Sequence, residues 1–206
     1  MPRSLTALLA LAAAPALLAA QAPQGGHAGH AMPAGGDHAA HMAAMQAAGP
    51  EVGQAAPDFT ISVVGQKGAP KPVKLSDFKG QTVVLAFFPR VRTSGCTAQL
   101  TAYRDKWQQM FKGGDKVTLI AISTDASDAQ QAWAAEANFP MWFGSDADGK
   151  VGSLYGAYDT GAKYDKRYLY VVGPDGKVTY VAKPFRQMVE TAYTELGDAV
   201  AKTRGR

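Results

Sequence analysis

Apolar positions along the chain switch between two periods. "TVVLAFF" (Thr82 to Phe88) and "VTLIAIS" (Val117 to Ser123) are continuous apolar runs rich in β-branched and aromatic residues. Such runs suit strands buried on both faces, and Pro89 stops the first. Between them Leu100, Tyr103, Trp107, Met110 and Phe111 recur at three- and four-residue steps. That is the stripe of one amphipathic helix, ended by Gly113-Gly114. A second helix is expected over "SDAQQAWAAEANF", with Ser127 or Asp125 as N-cap and Ala129, Trp133 and Ala137 inward.

The remaining segments are shorter. "APDFTISVVG" reads as an opening strand and "PVKLSDFKG" as a short strand with a turn at Asp77 and Gly80. "MWFGS" reads as a short strand and "GKVGSLYG" as a short helix. "RYLYVV" (Arg167 to Val172) and "KVTYVA" flank "GPDG", a turn signal that predicts an antiparallel hairpin. The last helix carries Val189, Tyr193, Leu196 and Val200 inward. Strand–helix–strand–helix followed by a hairpin and a helix is the order of a thioredoxin-like α/β fold, a central mixed sheet flanked by helices.

Composition bounds this picture. With 206 residues, 47% of them hydrophobic, the chain can build one real core. The net charge of +4 is small and spread out, without a Lys/Arg run, which argues against a nucleic-acid partner. Residues 1–22 read as a secretory leader: Arg3 is the positive start, Leu5 to Ala20 the apolar region, and "AQA" (Ala20 to Ala22) the small-residue cleavage site. The run is short for a spanning helix and Pro15 interrupts it, so no stable membrane insertion is expected after cleavage. Residues 23–50 are Ala, Gly, Pro, His and Met with almost no charge, the composition of a tether. The folded domain is assigned to 51–206, in a periplasmic or secreted setting.

Export permits disulfides, yet Cys96 is the only cysteine. It stands where a buried strand hands over to a helix. The first helical turn offers unpaired N–H groups and the positive end of the dipole. A thiol there loses its proton more easily, and the thiolate is the nucleophile. Thr93, three residues earlier, can donate to the sulfur and accept from a substrate O–H. Gly95 lets the backbone turn beside it, and Pro89 offers a rigid apolar cover without a competing N–H. Taken alone, a single cysteine is more often a small buried hydrophobe.

"PRVRTSGCT" resembles the Pro-x-x-x-Thr/Ser-x-x-Cys signature of the peroxiredoxins at Pro89, Thr93 and Cys96. The ending "SGCT" is closest to the bacterioferritin-comigratory-protein branch, and "APDFT", "VKLSDFKGQTVVLAFFP" and "DADGKVGSLYGAYD" read like that family too. The resemblance spans about Val52 to Val200. It implies a thiol peroxidase without cofactor. Cys96 would attack peroxide and become a sulfenic acid, and an arginine ahead of a late strand would help. "RYLYVVGPDG" makes Arg167 that arginine.

Two departures shape the expectation. The position where many relatives carry a second cysteine is Thr101, so the resemblance implies a one-cysteine form resolved by an external thiol. Gln99 stands where the family often has Glu; it can hydrogen-bond an arginine without neutralising it, a small effect on substrate positioning. A monomer or a dimer fits the branch.

All four histidines, His27, His30, His38 and His41, lie in the tether, with Met32, Met42 and Met45 close by. Imidazole and thioether suit copper, which makes them candidates for weak copper binding, against the reading of a biased linker. No metal site is expected in the domain. Copper delivery of the Sco type would need two cysteines and a domain histidine; disulfide exchange would need Cys-x-x-Cys, whose first place is Thr93. The alternative to a peroxidase is a copper-binding or non-catalytic thioredoxin-fold module of the cell envelope.

Overall fold

The computed structural model describes residues 48–204. The leader read over 1–22 and all but the last three residues of the tether, with its four histidines and three neighbouring methionines, lie outside them.

The chain runs through β1 (Thr60–Val64), β2 (Lys71–Lys74), a 3-10 turn (Leu75–Phe78) and β3 (Thr82–Phe87). Then come α1 (Ser94–Asp105), α2 (Trp107–Phe111), β4 (Val117–Ser123), α3 (Ser127–Glu136), β5 (Trp142–Ser145) and α4 (Lys150–Leu154). It ends with β6 (Tyr158–Asp159), β7 (Tyr164–Asp165), β8 (Leu169–Val172), β9 (Val178–Ala182) and α5 (Glu190–Arg204). Seven strands form one mixed sheet in the order β2-β1-β5-β4-β3-β8-β9. β3, β4 and β5 are parallel, and β8 joins β3 antiparallel with Ala86 opposite Leu169. This is the thioredoxin-like α/β sheet expected from the element order.

Strand alternation explains the two cores. Val84, Ala86, Leu119 and Ala121 face the side covered by Leu100, Tyr103, Trp133 and Leu196 of the helices. Val83, Leu85, Phe87, Ile120 and Ile122 face the other side, against Val151, Tyr155 and Tyr170. Every residue of β3 is buried, as an interior strand of a covered sheet requires.

Several sequence expectations are corrected. The single stripe after Cys96 belongs to two helices, α1 and α2, broken at Lys106 (φ −100°, ψ 14°). Both pieces keep one face inward, so the period alone does not reveal the break. The N-cap of α3 is Ala126, not Ser127 or Asp125, and has no side-chain cap. The Asp125 carboxylate is taken instead by Val91 N–H (2.9 Å) and Ser123 Oγ–H (2.8 Å). On α3 the buried residues are Gln130, Trp133 and Ala134, while Ala129 and Ala137 are half-buried. Gln130 earns its place by donating to the Gly144 carbonyl and Ser123 Oγ, both at 3.0 Å, across β4 and β5. Val189 lies before α5 and is exposed; Ala192 is the buried residue of that turn. Gly49 and Pro50, read as tether, are buried, and the Lys183 ammonium donates to the Ala48 carbonyl (2.7 Å). At Gly49 (φ 71°) an added Cβ would fall 2.2 Å from the Tyr155 carbonyl oxygen, so only glycine fits there.

Candidate active site

The site forms at the end of β3. Phe87 N–H donates to the Tyr168 carbonyl (2.9 Å), which extends the β3–β8 pairing past Ala86 and Leu169. One step further along this antiparallel register sets Arg167 opposite Phe88. Arg167 itself is not in the strand, as sequence had it; it occupies a bend between the small β6–β7 hairpin and β8. Its side chain is therefore free to cross the end of β3 toward α1.

From Phe88 the chain loops through Pro89 to Thr93 and enters α1. Two contacts fix this loop: Val91 N–H on Asp125 (2.9 Å) and the Arg92–Glu136 ion pair (2.8 Å). Arg92 has φ 58°, unusual for a residue with a Cβ, and this turns the backbone into the helix. Its guanidinium pairs with Glu136 at the surface.

Cys96 is the third residue of α1 and has no exposed surface. Its sulfur lies 3.3 Å from Arg167 Nη2. Arg167 Nη1 donates to Gln99 Oε1, and the Gln99 amide nitrogen donates to the Tyr103 hydroxyl at 2.8 Å. Gln99 and Tyr103 are both fully buried, and burial pushes the Tyr103 phenol well above its ordinary range, so it stays neutral. The order sulfur, guanidinium, amide, phenol is a hydrogen-bonded chain from the site into the core. It holds the arginine fork in one orientation, with Nη2 on the sulfur.

The expected residues are thus only partly brought together. Cys96, Arg167 and Gln99 form one chain. Thr93 is the N-cap of α1 but is exposed, and its hydroxyl donates to the Arg90 carbonyl (3.1 Å) rather than to the sulfur. Its own carbonyl accepts Thr97 N–H, the first bond of the helix (2.8 Å). Thr93 therefore shapes the loop, and among the described residues no side chain caps α1. The N–H groups of Ser94, Gly95 and Cys96 precede that first bond and remain open to an anion. Pro89 is half-buried at the loop's start. Gly95 lies tight against the arginine: an added Cβ would be 3.3 Å from Arg167 Nη2 and 3.1 Å from Gln187 Nε2.

Gln187 and Tyr103 were missed as site neighbours. Tyr103 read only as part of a core stripe, and nothing in "KPFRQMVE" sets Gln187 apart. No cluster of three or more His, Cys, Asp or Glu side chains able to hold a metal occurs among the described residues.

The AhpC/TSA family profile matches residues 52–181. The chain belongs to that family. The peroxiredoxin bcp of Coxiella burnetii is 36% identical over 118 residues, covering 57% of this chain and 74% of that protein. The chloroplastic peroxiredoxin Q of Sedum lineare is 36% identical over 130 residues, covering 63% and 67%. Among solved structures, the peroxidoxin BcpB of Mycobacterium tuberculosis superposes with a TM-score of 0.62 at 29% identity, over 75% of this chain and 97% of that one. The peroxiredoxin fold places Cys96 at a helix start facing an arginine, and the enzyme is a thiol peroxidase.

Proposed function

We propose that this peroxiredoxin reduces hydrogen peroxide or organic hydroperoxides by a one-cysteine cycle, outside the cytoplasm, with an external thiol as reductant. The observation that carries the chemistry is the 3.3 Å contact between Arg167 Nη2 and the Cys96 sulfur at an uncapped helix start. The thiolate attacks one peroxide oxygen and the O–O bond breaks. Sulfur is oxidised by two electrons to the sulfenic acid, and the departing oxygen takes a proton to leave as water or alcohol. Arg167 and the open N–H groups of Gly95 and Cys96 stabilise charge on that oxygen.

Cys96 is the sole cysteine, so the sulfenic acid has no partner within the chain. An external thiol condenses with it, releasing water and leaving a mixed disulfide. A second thiol displaces Cys96 as thiolate. The leader over residues 1–22 supports an extracytoplasmic reductant. No described helix is long and apolar enough to cross a membrane.

The test exposes reduced protein to one equivalent of peroxide and traps the product with a sulfenic-acid reagent. The expected product is a single adduct on Cys96, formed far faster than on free cysteine and absent from Cys96→Ser. A rate like that of free cysteine overturns the proposal. Fractionation of cells expressing the full chain checks the compartment: retention in the cytoplasm with the leader intact rules out export.

A further inference from the structure

Beside Cys96 the structure offers a polar group that the cycle above does not use. Gln187 lies between β9 and α5 and is half-buried. Its side-chain amide borders the open face of Gly95: a Cβ there would meet Gln187 Nε2 at 3.1 Å and Arg167 Nη2 at 3.3 Å, with no other side chain nearer. The same Nη2 touches the Cys96 sulfur. Two N–H donors from different parts of the chain therefore converge on a surface without a side chain, next to the nucleophile. Among the described residues the Gln187 amide has no hydrogen-bond partner, whereas the buried Gln99 amide is engaged at both ends.

The segment is also tied to its surroundings through its backbone. Phe185 N–H donates to the Arg167 carbonyl (2.7 Å), which ties its backbone to that of the arginine. The Tyr193 hydroxyl donates to the Gln187 carbonyl (2.6 Å). Phe185 is buried and stacks edge-on with Tyr193, centroids 5.3 Å apart. These supports fix the Gln187 backbone beside Gly95 and leave the side-chain amide free to reach a ligand there.

We propose that Gln187 is a substrate-positioning residue: its amide donates to a peroxide oxygen held over Gly95, across from Arg167. The inference rests on the peroxidase reading of Cys96. Arg167 contacts sulfur and oxygen alike, whereas Gln187 contacts the oxygen side alone. Its loss therefore slows reaction with peroxide without changing reaction of the sulfur with an electrophile that has no oxygen to hold.

The experiment compares wild type, Gln187→Met and Gln187→Glu in two reactions, oxidation by hydrogen peroxide and alkylation by iodoacetamide. Gln187→Met keeps the length and removes the donor; the expected result is about tenfold slower oxidation with alkylation unchanged. Gln187→Glu replaces the donor by an acceptor, and its oxidation slows more as pH rises through the carboxylate range. Wild-type oxidation in Gln187→Met overturns the assignment, and so does a parallel loss of oxidation and alkylation, which marks a purely structural role. A wild-type protein no faster with peroxide than free cysteine removes the peroxidase reading itself, an outcome distinct from a fast wild type matched by a fast variant.

Discussion

Arg167 Nη2 and Cys96 Sγ lie 3.3 Å apart although 71 residues separate them in the chain. The contact depends on two local facts: β8 starts only at Leu169, which leaves Arg167 in a bend, and α1 starts at Ser94, which puts Cys96 in its first turn.

The first prediction concerns this pair. Arg167→Met removes the fixed cation and both donors, so oxidation of Cys96 by peroxide should slow on the order of a hundredfold. Arg167→Lys should recover only part of that rate, because a single ammonium cannot bridge Gln99 and the sulfur as the fork does. Stopped-flow oxidation rates check both; equal rates in wild type and Arg167→Met would remove the arginine from the mechanism.

The second concerns the loop that delivers Cys96. Asp125 accepts from Val91 N–H and Ser123 Oγ–H, joining the end of β4 to the loop. Asp125→Ala leaves both donors without that partner and should cost about 1–3 kcal/mol of stability. Peroxide oxidation should slow several-fold as the loop loosens, while Asp125→Asn, which keeps an acceptor oxygen, should lose less of either. Urea midpoints and oxidation rates measured together decide it; an unaffected Asp125→Ala would mean that the loop is held by the Arg92–Glu136 pair alone.

Much of this is legible in the sequence, for identifiable reasons. The continuous apolar runs at Thr82–Phe87 and Val117–Ser123 became interior parallel strands because only a covered sheet tolerates them. Arg167 could be singled out because its offset from "GPDG" fits the family pattern. What stayed hidden depends on tertiary geometry. Which acceptor the Thr93 hydroxyl reaches is one such feature, and that acceptor is the Arg90 carbonyl. Asp125 looked like a helix cap because caps are local, but its partner Val91 is 34 residues away. Gln187 carries no signal of spacing or periodicity; only the fold brings it to Gly95. Asp165, next to the expected strand, became visible only once its burial was known.

A third prediction tests the His/Met segment. With His27, His30, His38 and His41 near Met32, Met42 and Met45, the segment should bind copper saturably at micromolar levels. The readout is titration of the full chain with Cu(I) and Cu(II), compared with a chain in which the four histidines are alanine. Identical curves would reduce the segment to a linker.

The last prediction is a pH dependence of stability. Asp165 is fully buried beside the bend that holds Arg167, and neither carboxylate oxygen has a hydrogen-bond partner among the described residues. Gly152 packs so close that an added Cβ would lie 2.1 Å from Asp165 Oδ1. Burial first, then the negative charges of Asp146 and Asp125, push the Asp165 carboxyl up to about 8. In the unfolded chain it titrates near its ordinary value of about 4. Below that value both states hold the proton and the folded state carries no penalty. Between about 4 and about 8 the native state keeps a proton that the unfolded chain has lost, so stability falls as pH rises, by at most about 1.4 kcal/mol per pH unit. Above about 8 both states are ionised and the penalty is constant. Asp165→Asn removes this titration; its buried amide is also poorly partnered, a cost that is the same at every pH. The slope is therefore the test, not the level. Urea midpoints from pH 5 to pH 9 should fall more steeply for wild type than for Asp165→Asn. Parallel slopes would mean that Asp165 ionises in the folded protein as readily as in the unfolded chain.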